Sequence, residues 1–459
     1  MSQRRGLFSM EWKLVAALLA GYGFLKEIRP SEPYITPFLT GPDKNFTDEQ
    51  VNQQIFPVST YAMLALLVVI FLVTDFLRYK PVIVAQSVSA VVTYCIIAWG
   101  QGVAIMQFME VLYGLMWAAD VAYFTYMYAK VDRAHYGTVS ATARVGYLLG
   151  RCGSGVLSQV AVSFNLLSLL SLQFVTLGAS VAATAFALAL PGVSTSFYFH
   201  KKAGSALPDV ESRPGSGFGS SEALGDDPPS PSAAGVKPAP APSHPSVVKL
   251  LWADCREAFS KVDVVKWSVW WALASAGQMM VLSYVQILWQ ASVRESGSTE
   301  TLLNGAVEAV YTFLGAGAVW LTTQKKDYST VGDALVGVWS LAAGAIVILA
   351  ARSQSMAVQY AVYVVFATSF NAAITIAYSE VAKRVREDAH ALVFGINTLG
   401  ALLLQTVLTF TVAGEGGLEL DIRTQFTIYG SYFLVIGLGF LVVFVVTLFT
   451  RRCSTARRE

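Results

Sequence analysis
Apolar residues in this chain arrive in blocks of nearly one size. Runs of roughly 18 to 25 residues, each the length of a helix that crosses a ~30 Å hydrocarbon core, fall at about 11–28, 56–77, 82–101, 103–129, 138–164, 167–191, 264–291, 302–324, 331–351, 355–382, 389–413 and 424–449. Twelve such runs predict an all-α polytopic membrane protein with both termini on one side. The pattern fails once, over residues 203–247, which are poor in apolar residues and end in the string KPAPAPSHPS. Such a stretch cannot bury enough surface to order itself and reads as a disordered linker. The division that follows is an N-terminal six-helix half over 1–202, a linker and lead-in over 203–260, and a C-terminal six-helix half with a short tail over 261–459. Six helices, a long polar linker and six more is the arrangement of the major facilitator fold, whose halves rock about a midplane site.

Composition agrees with a bilayer as the main solvent. Hydrophobic residues make up 54% and charged residues only 14%, against about 25% charged in soluble chains. A net charge of +2 gives no general attraction for nucleic acid, so the placement of charges matters more than their sum. If the termini are cytoplasmic, the outer loops hold only Lys26, Arg29, Lys44, Arg294, Arg352 and Arg423, the fifth span holds Arg144 and Arg151, and the other 24 of 32 basic residues sit on or near the inner side. That asymmetry orients the chain. It also makes the sequon Asn45-Phe46-Thr47 extracellular, and Asn45 is expected to carry a glycan. Met-Ser-Gln-Arg-Arg followed by an apolar run with no small-residue cleavage site reads as a retained first helix.

Charges within the spans mark function, because an ionised side chain facing lipid costs several kcal/mol. The fourth span places Glu110, Tyr113, Trp117, Asp120 and Phe124 on one helical face. Two carboxylates interleaved with aromatic rings suit an organic cation, although pairing of Glu110 with Arg144 is an alternative that would serve packing alone. Arg144 and Arg151 share a face of the fifth span, Glu308 follows Asn304 by one turn in the eighth, and Glu380 is expected as a solvated helix-end residue beside Lys383 and Arg384. Neither an enzyme nor a channel is indicated. There is no nucleophile elbow, phosphate loop or charged filter, the four cysteines lack metal-type spacing, and the four histidines fall at inner loops or helix ends. No cofactor or metal is implied, and the driving force must be a gradient or intracellular trapping.

The first loop, IRPSEPYITPFLTGPDKNFT (28–47), and the following DFLRYKP (75–81) resemble the solute carrier family of reduced folate and thiamine transporters. The likeness continues through QFMEVLYG, WSVWWA, YVQILW, NGAVEA, ALVFGINT and QFTIYGSYF, covering both helical halves. It implies facilitated uptake of a B vitamin across the plasma membrane, and the functional unit is expected to be a monomer. The folate branch has Arg where this chain has Asp120 and Ala367, and Lys where it has Gln405; the thiamine branch has an acid and a Gln at the first and last of these. Glu32, Glu110, Tyr113 and Asn304 also match residues with which the thiamine branch holds its substrate. The expected substrate site is Glu32, Phe56, Glu110, Tyr113, Asp120, Arg151, Asn304 and Gln405, of which the resemblance implies Glu32, Glu110, Tyr113, Asp120, Asn304 and Gln405, and Asp75, Arg78, Arg144 and Glu308 are expected as structural or gating charges. Ser59 and Arg151 depart from the branch, which has Trp and Tyr there. Pyridoxine, a phosphorylated thiamine and a reduced folate stay open as substrates, as does a membrane receptor that does not transport.

Overall fold
The computed structural model describes residues 2–131, 135–193, 247–297, 302–324, 328, 331–385 and 390–456. Twelve crossings account for the bundle, as the apolar blocks predict. In the N-terminal half they are α1 (Ser2–Lys26), α2 (Phe56–Phe76), α3 (Lys80–Trp99), α4 (Val103–Ala118, resuming as Asp120–Lys130), α5 (Tyr136–Ser163) and α6 (Leu169–Ala189). In the C-terminal half they are α7 (Val262–Ser296), α8 (Asn304–Gln324), α9 (Gly332–Arg352), α10 (Met356–Ala382), α11 (His390–Leu408) and α12 (Ile422–Ala456). Residues 203–246 of the expected linker lie outside the described residues, whereas Val247–Phe259, in the lead-in, form a helix of their own. The side of the bundle opposite the chain termini is its distal side.

Among the described residues, nine helices are long and apolar enough to cross a membrane by length and composition. Those that fall short are α1, α4 and α5, which carry Lys26, Glu110, Asp120, Arg144 and Arg151. The surface is what a bilayer requires: Val435, Leu438, Val442 and Val446 of α12 and Phe313, Trp320 and Leu321 of α8 are exposed. One core, with Tyr22, Ile83, Tyr123 and Tyr126, lies within the N-terminal half, and a larger one joins Trp267, Trp270, Phe366 and Phe433 of the C-terminal half to Phe38, Tyr94 and Met106 of the first.

Proline sets several helix starts and one decisive stop. Pro57 and Pro81 open α2 and α3, where a missing N–H costs nothing. Pro30 cannot donate to the Lys26 carbonyl four residues earlier and its ring would clash there, so α1 ends at Lys26. The chain then continues through a turn at Glu32–Tyr34 and a short helix at Ile35–Thr40. This corrects the expectation that Lys26 and Arg29 are outer-loop residues. The backbone N–H of Arg29 donates to Ser154 Oγ at 2.9 Å, and Ser31 Oγ accepts from Thr176 Oγ1 at 2.9 Å. Ser154 stands more than two turns below the distal end of α5. Residues 27–34 thus run inside the bundle, with Arg29 only 6% exposed.

Candidate functional site
The two halves meet most closely where glycines remove side chains. A Cβ on Gly155 of α5 would lie 2.7 Å from the Gly305 carbonyl oxygen and 2.8 Å from the Ala309 nitrogen, both on α8. Around that crossing the halves are joined by hydrogen bonds. Tyr34 Oη donates to Leu302 O at 2.9 Å, Asn304 Nδ2 to Pro33 O at 2.7 Å, and Gln286 Nε2 to Glu32 O at 2.9 Å. Farther out, Arg294 pairs with Asp48 and Gln290 donates to Thr40. These joints close the distal side. On the terminal side, Arg144 and Tyr378 come from opposite halves, are both exposed, and share no hydrogen bond among the described contacts.

Beneath the distal seal lies a cavity of about 400 Å³ walled by both halves, within the range of small-molecule sites. Its aromatic lining includes Phe56, Tyr113, Trp117, Trp289 and Tyr363. Trp289, only 3% exposed, has a buried indole N–H with no partner among the described residues. Four carboxylates and two guanidiniums share the wall: Glu27, Glu32, Glu110 and Glu308 against Arg29 and Arg151. With all of them ionised, the cavity carries two negative charges in excess.

Three of the four acids are already engaged by bases. Arg29 donates to Glu27 at 2.8 Å and to Glu32 at 2.7 Å. The Tyr94 and Tyr113 hydroxyls also donate to Glu32, each at 3.0 Å. Arg151 Nε donates to Glu308 at 2.7 Å and its Nη2 to the Tyr311 hydroxyl at 2.8 Å, tying α5 to α8. Glu110 is different: it is 6% exposed, with no basic partner among the described residues. A buried carboxylate without a counter-charge carries a desolvation cost of several kcal/mol, which an arriving cation would offset.

The remaining sequence-derived residues are distributed unevenly. Gln405 lines the cavity and donates to Thr60 at 3.4 Å, and Asn304 lines it while holding Pro33. Ala367 is buried in the C-terminal core instead. Asp120 leaves the line of Glu110, because α4 is interrupted at Ala119. It occupies a separate recess, paired with Lys26 and accepting from Gln86. Arg144 stacks on Tyr147 at 5.3 Å and has no acid partner among the described residues, so its pairing with Glu110 is not observed. Arg78 is exposed at φ 61°, and the side chain of Asp75 lies outside the described residues. Glu380 is a correction: it is fully buried, because Lys383 and Arg384 neutralise it at 2.7 and 2.6 Å. Sequence reasoning missed Glu27, Arg29, Gln286 and Trp289. The only signal for the first two is the pair of prolines that breaks the first span, while Gln286 and Trp289 lie in the YVQILW string.

Two six-helix halves, a distal seal and, among the described residues, a central cavity walled by four carboxylates and two guanidiniums define a multi-pass membrane carrier of the major facilitator fold. The fold of the nucleoside transporter NupG agrees, with a TM-score of 0.57 at 13% identity over 94% of this chain and 99% of that one. Residues 10–428 match the reduced folate carrier family, and the chain belongs to it. Human (Homo sapiens) thiamine transporter 1 is 38% identical, covering 94% of this chain and 89% of the relative. Human thiamine transporter 2 is 37% identical, with 95% and 91% covered. The family consists of transporters, not enzymes.

Proposed function
We propose that this carrier imports thiamine, an organic cation with a fixed positive charge, by alternating access. The observation that carries the reading is Glu110, a buried carboxylate on an aromatic-lined wall with no basic partner among the described residues. Coulomb attraction and ring contacts both favour a cation there. The similarity to thiamine transporters points the same way. In this reading the fixed cation lies against Glu110 between Phe56 and Tyr113, and Glu32, Asn304 and Gln405 serve the polar remainder. Arg151 does not oppose the cation, because Glu308 neutralises it. Nor does it offer a free guanidinium to a phosphate or a folate carboxylate.

Uptake of labelled thiamine, pyridoxine and a reduced folate by cells lacking their own carriers tests this. Saturable thiamine uptake with little folate uptake is expected; folate uptake without thiamine uptake would reverse the assignment. The unit is a monomer in the plasma membrane with both termini cytoplasmic. Asn45, exposed on the distal side, then carries a glycan and protease cuts residues 203–246 only when admitted to the cytoplasm. Cleavage of that stretch in intact cells would overturn the topology.

A further inference from the structure
The recess beside the main cavity is a cation site already filled by the chain itself. Lys26 Nζ pairs with Asp120, and the rings of Tyr123, Tyr147 and Phe124 stand 4.9, 5.5 and 5.8 Å from it. Asp120 is fixed in turn by Gln86, which donates to it and accepts from the Tyr22 hydroxyl at 2.8 Å. The space left over is about 20 Å³, room for one water and not for an organic molecule. The recess and the main cavity share Glu27, Arg29 and Trp117 as a common wall. On that wall Glu27 is the next acid available to Lys26, at 3.8 Å.

We infer that Asp120 is a positioning residue for charge selection, which acts by holding the Lys26 ammonium out of the substrate cavity. With Asp120 neutral, the ammonium turns to Glu27, competes there with Arg29, and adds one positive charge to a wall that faces the substrate. Cations are then disfavoured by like charge in a weakly screened cavity, about 10-fold in affinity. Asp120 never touches the substrate in this arrangement, although helical spacing alone aligns it with Glu110.

The inference rests on the cation reading given above, so its test has one arm that does not. Wild type, Asp120→Asn, Lys26→Met and the double variant are compared for KM and maximal rate of thiamine uptake, normalised to surface abundance. They are also compared for thermal midpoint as purified full-length protein. Asp120→Asn should raise KM about 10-fold with the maximal rate per surface molecule unchanged, and adding Lys26→Met should bring KM back to within about 3-fold of wild type. A double variant as weak as Asp120→Asn would mean that Asp120 contacts substrate directly, and a change in abundance alone would mean a purely structural role; either overturns the inference. If wild type carries no thiamine, the cation reading has failed, and the thermal midpoints judge the pair. Recovery of the midpoint in the double variant supports the restraint of Lys26, and additive losses reject it.

Discussion
Glu110→Gln should raise the KM for thiamine by about 10- to 100-fold, the equivalent of ~1.5–3 kcal/mol for a charge-assisted contact. Surface abundance should stay near wild type. Glutamine keeps the shape of the side chain, so the deleted charge is the main change. The opposing expectation, that Glu110 serves to pair with Arg144, predicts a folding defect rescued by Arg144→Gln. That pairing is not observed: Arg144 is exposed and stacked on Tyr147, so Glu110→Gln strands no buried guanidinium. Uptake kinetics alongside surface biotinylation of the variant check both points. An unchanged KM at normal abundance would remove the cation from Glu110 and leave Glu32 as the acid to test next.

Much of the fold was legible because the bilayer imposes a length on apolar blocks, and that constraint acts residue by residue along the chain. The twelve crossings follow from it, and helical spacing places Glu110, Tyr113 and Trp117 of the fourth span on one wall. Ionic partnerships did not follow, because each depends on a backbone excursion too small to change the hydrophobic pattern. Lys26 and Arg29 look like loop residues by their charge and their place near the end of an apolar run. Pro30 stops α1 early and turns them inward, where Glu27, Glu32 and Asp120 satisfy them. Ala119 likewise interrupts α4 by one residue, and that is enough to send Asp120 to Lys26 while Glu110 stays in the cavity. Glu380 was misjudged for a related reason: adjacent basic residues suggest solvent, yet at three and four residues' spacing they neutralise one buried carboxylate.

Gly155→Val should abolish uptake while leaving the protein at the cell surface, whereas Gly146→Val should remove it from the surface. Both glycines lie on α5 and both admit a close backbone, so the local injury is alike. A Cβ on Gly146 would lie 2.4 Å from the Ala20 carbonyl oxygen of α1, inside the N-terminal half. That contact lies within one half, which alternating access moves as a body, so forcing it costs folding free energy, typically 1–3 kcal/mol or more for overpacking, against a total stability of about 5–15 kcal/mol. The Cβ on Gly155 meets Gly305 and Ala309 of the opposite half, at the crossing that closes the distal side. Alternating access requires that crossing to close once per cycle and to part once per cycle. The Gly155→Val protein can fold with the halves parted, so it should stand open on the distal side, unable to close. A cysteine placed at Thr40, which is joined to Gln290 across the seal, reports the state. In a Gly155→Val background it should react with a membrane-impermeant thiol reagent roughly 10-fold faster than in wild type, as expected when a barrier loses ~1.4 kcal/mol. Surface biotinylation and uptake complete the measurement. Normal uptake by Gly155→Val would show that the halves do not close about this crossing, and equal loss of both variants from the surface would make it a folding contact like Gly146.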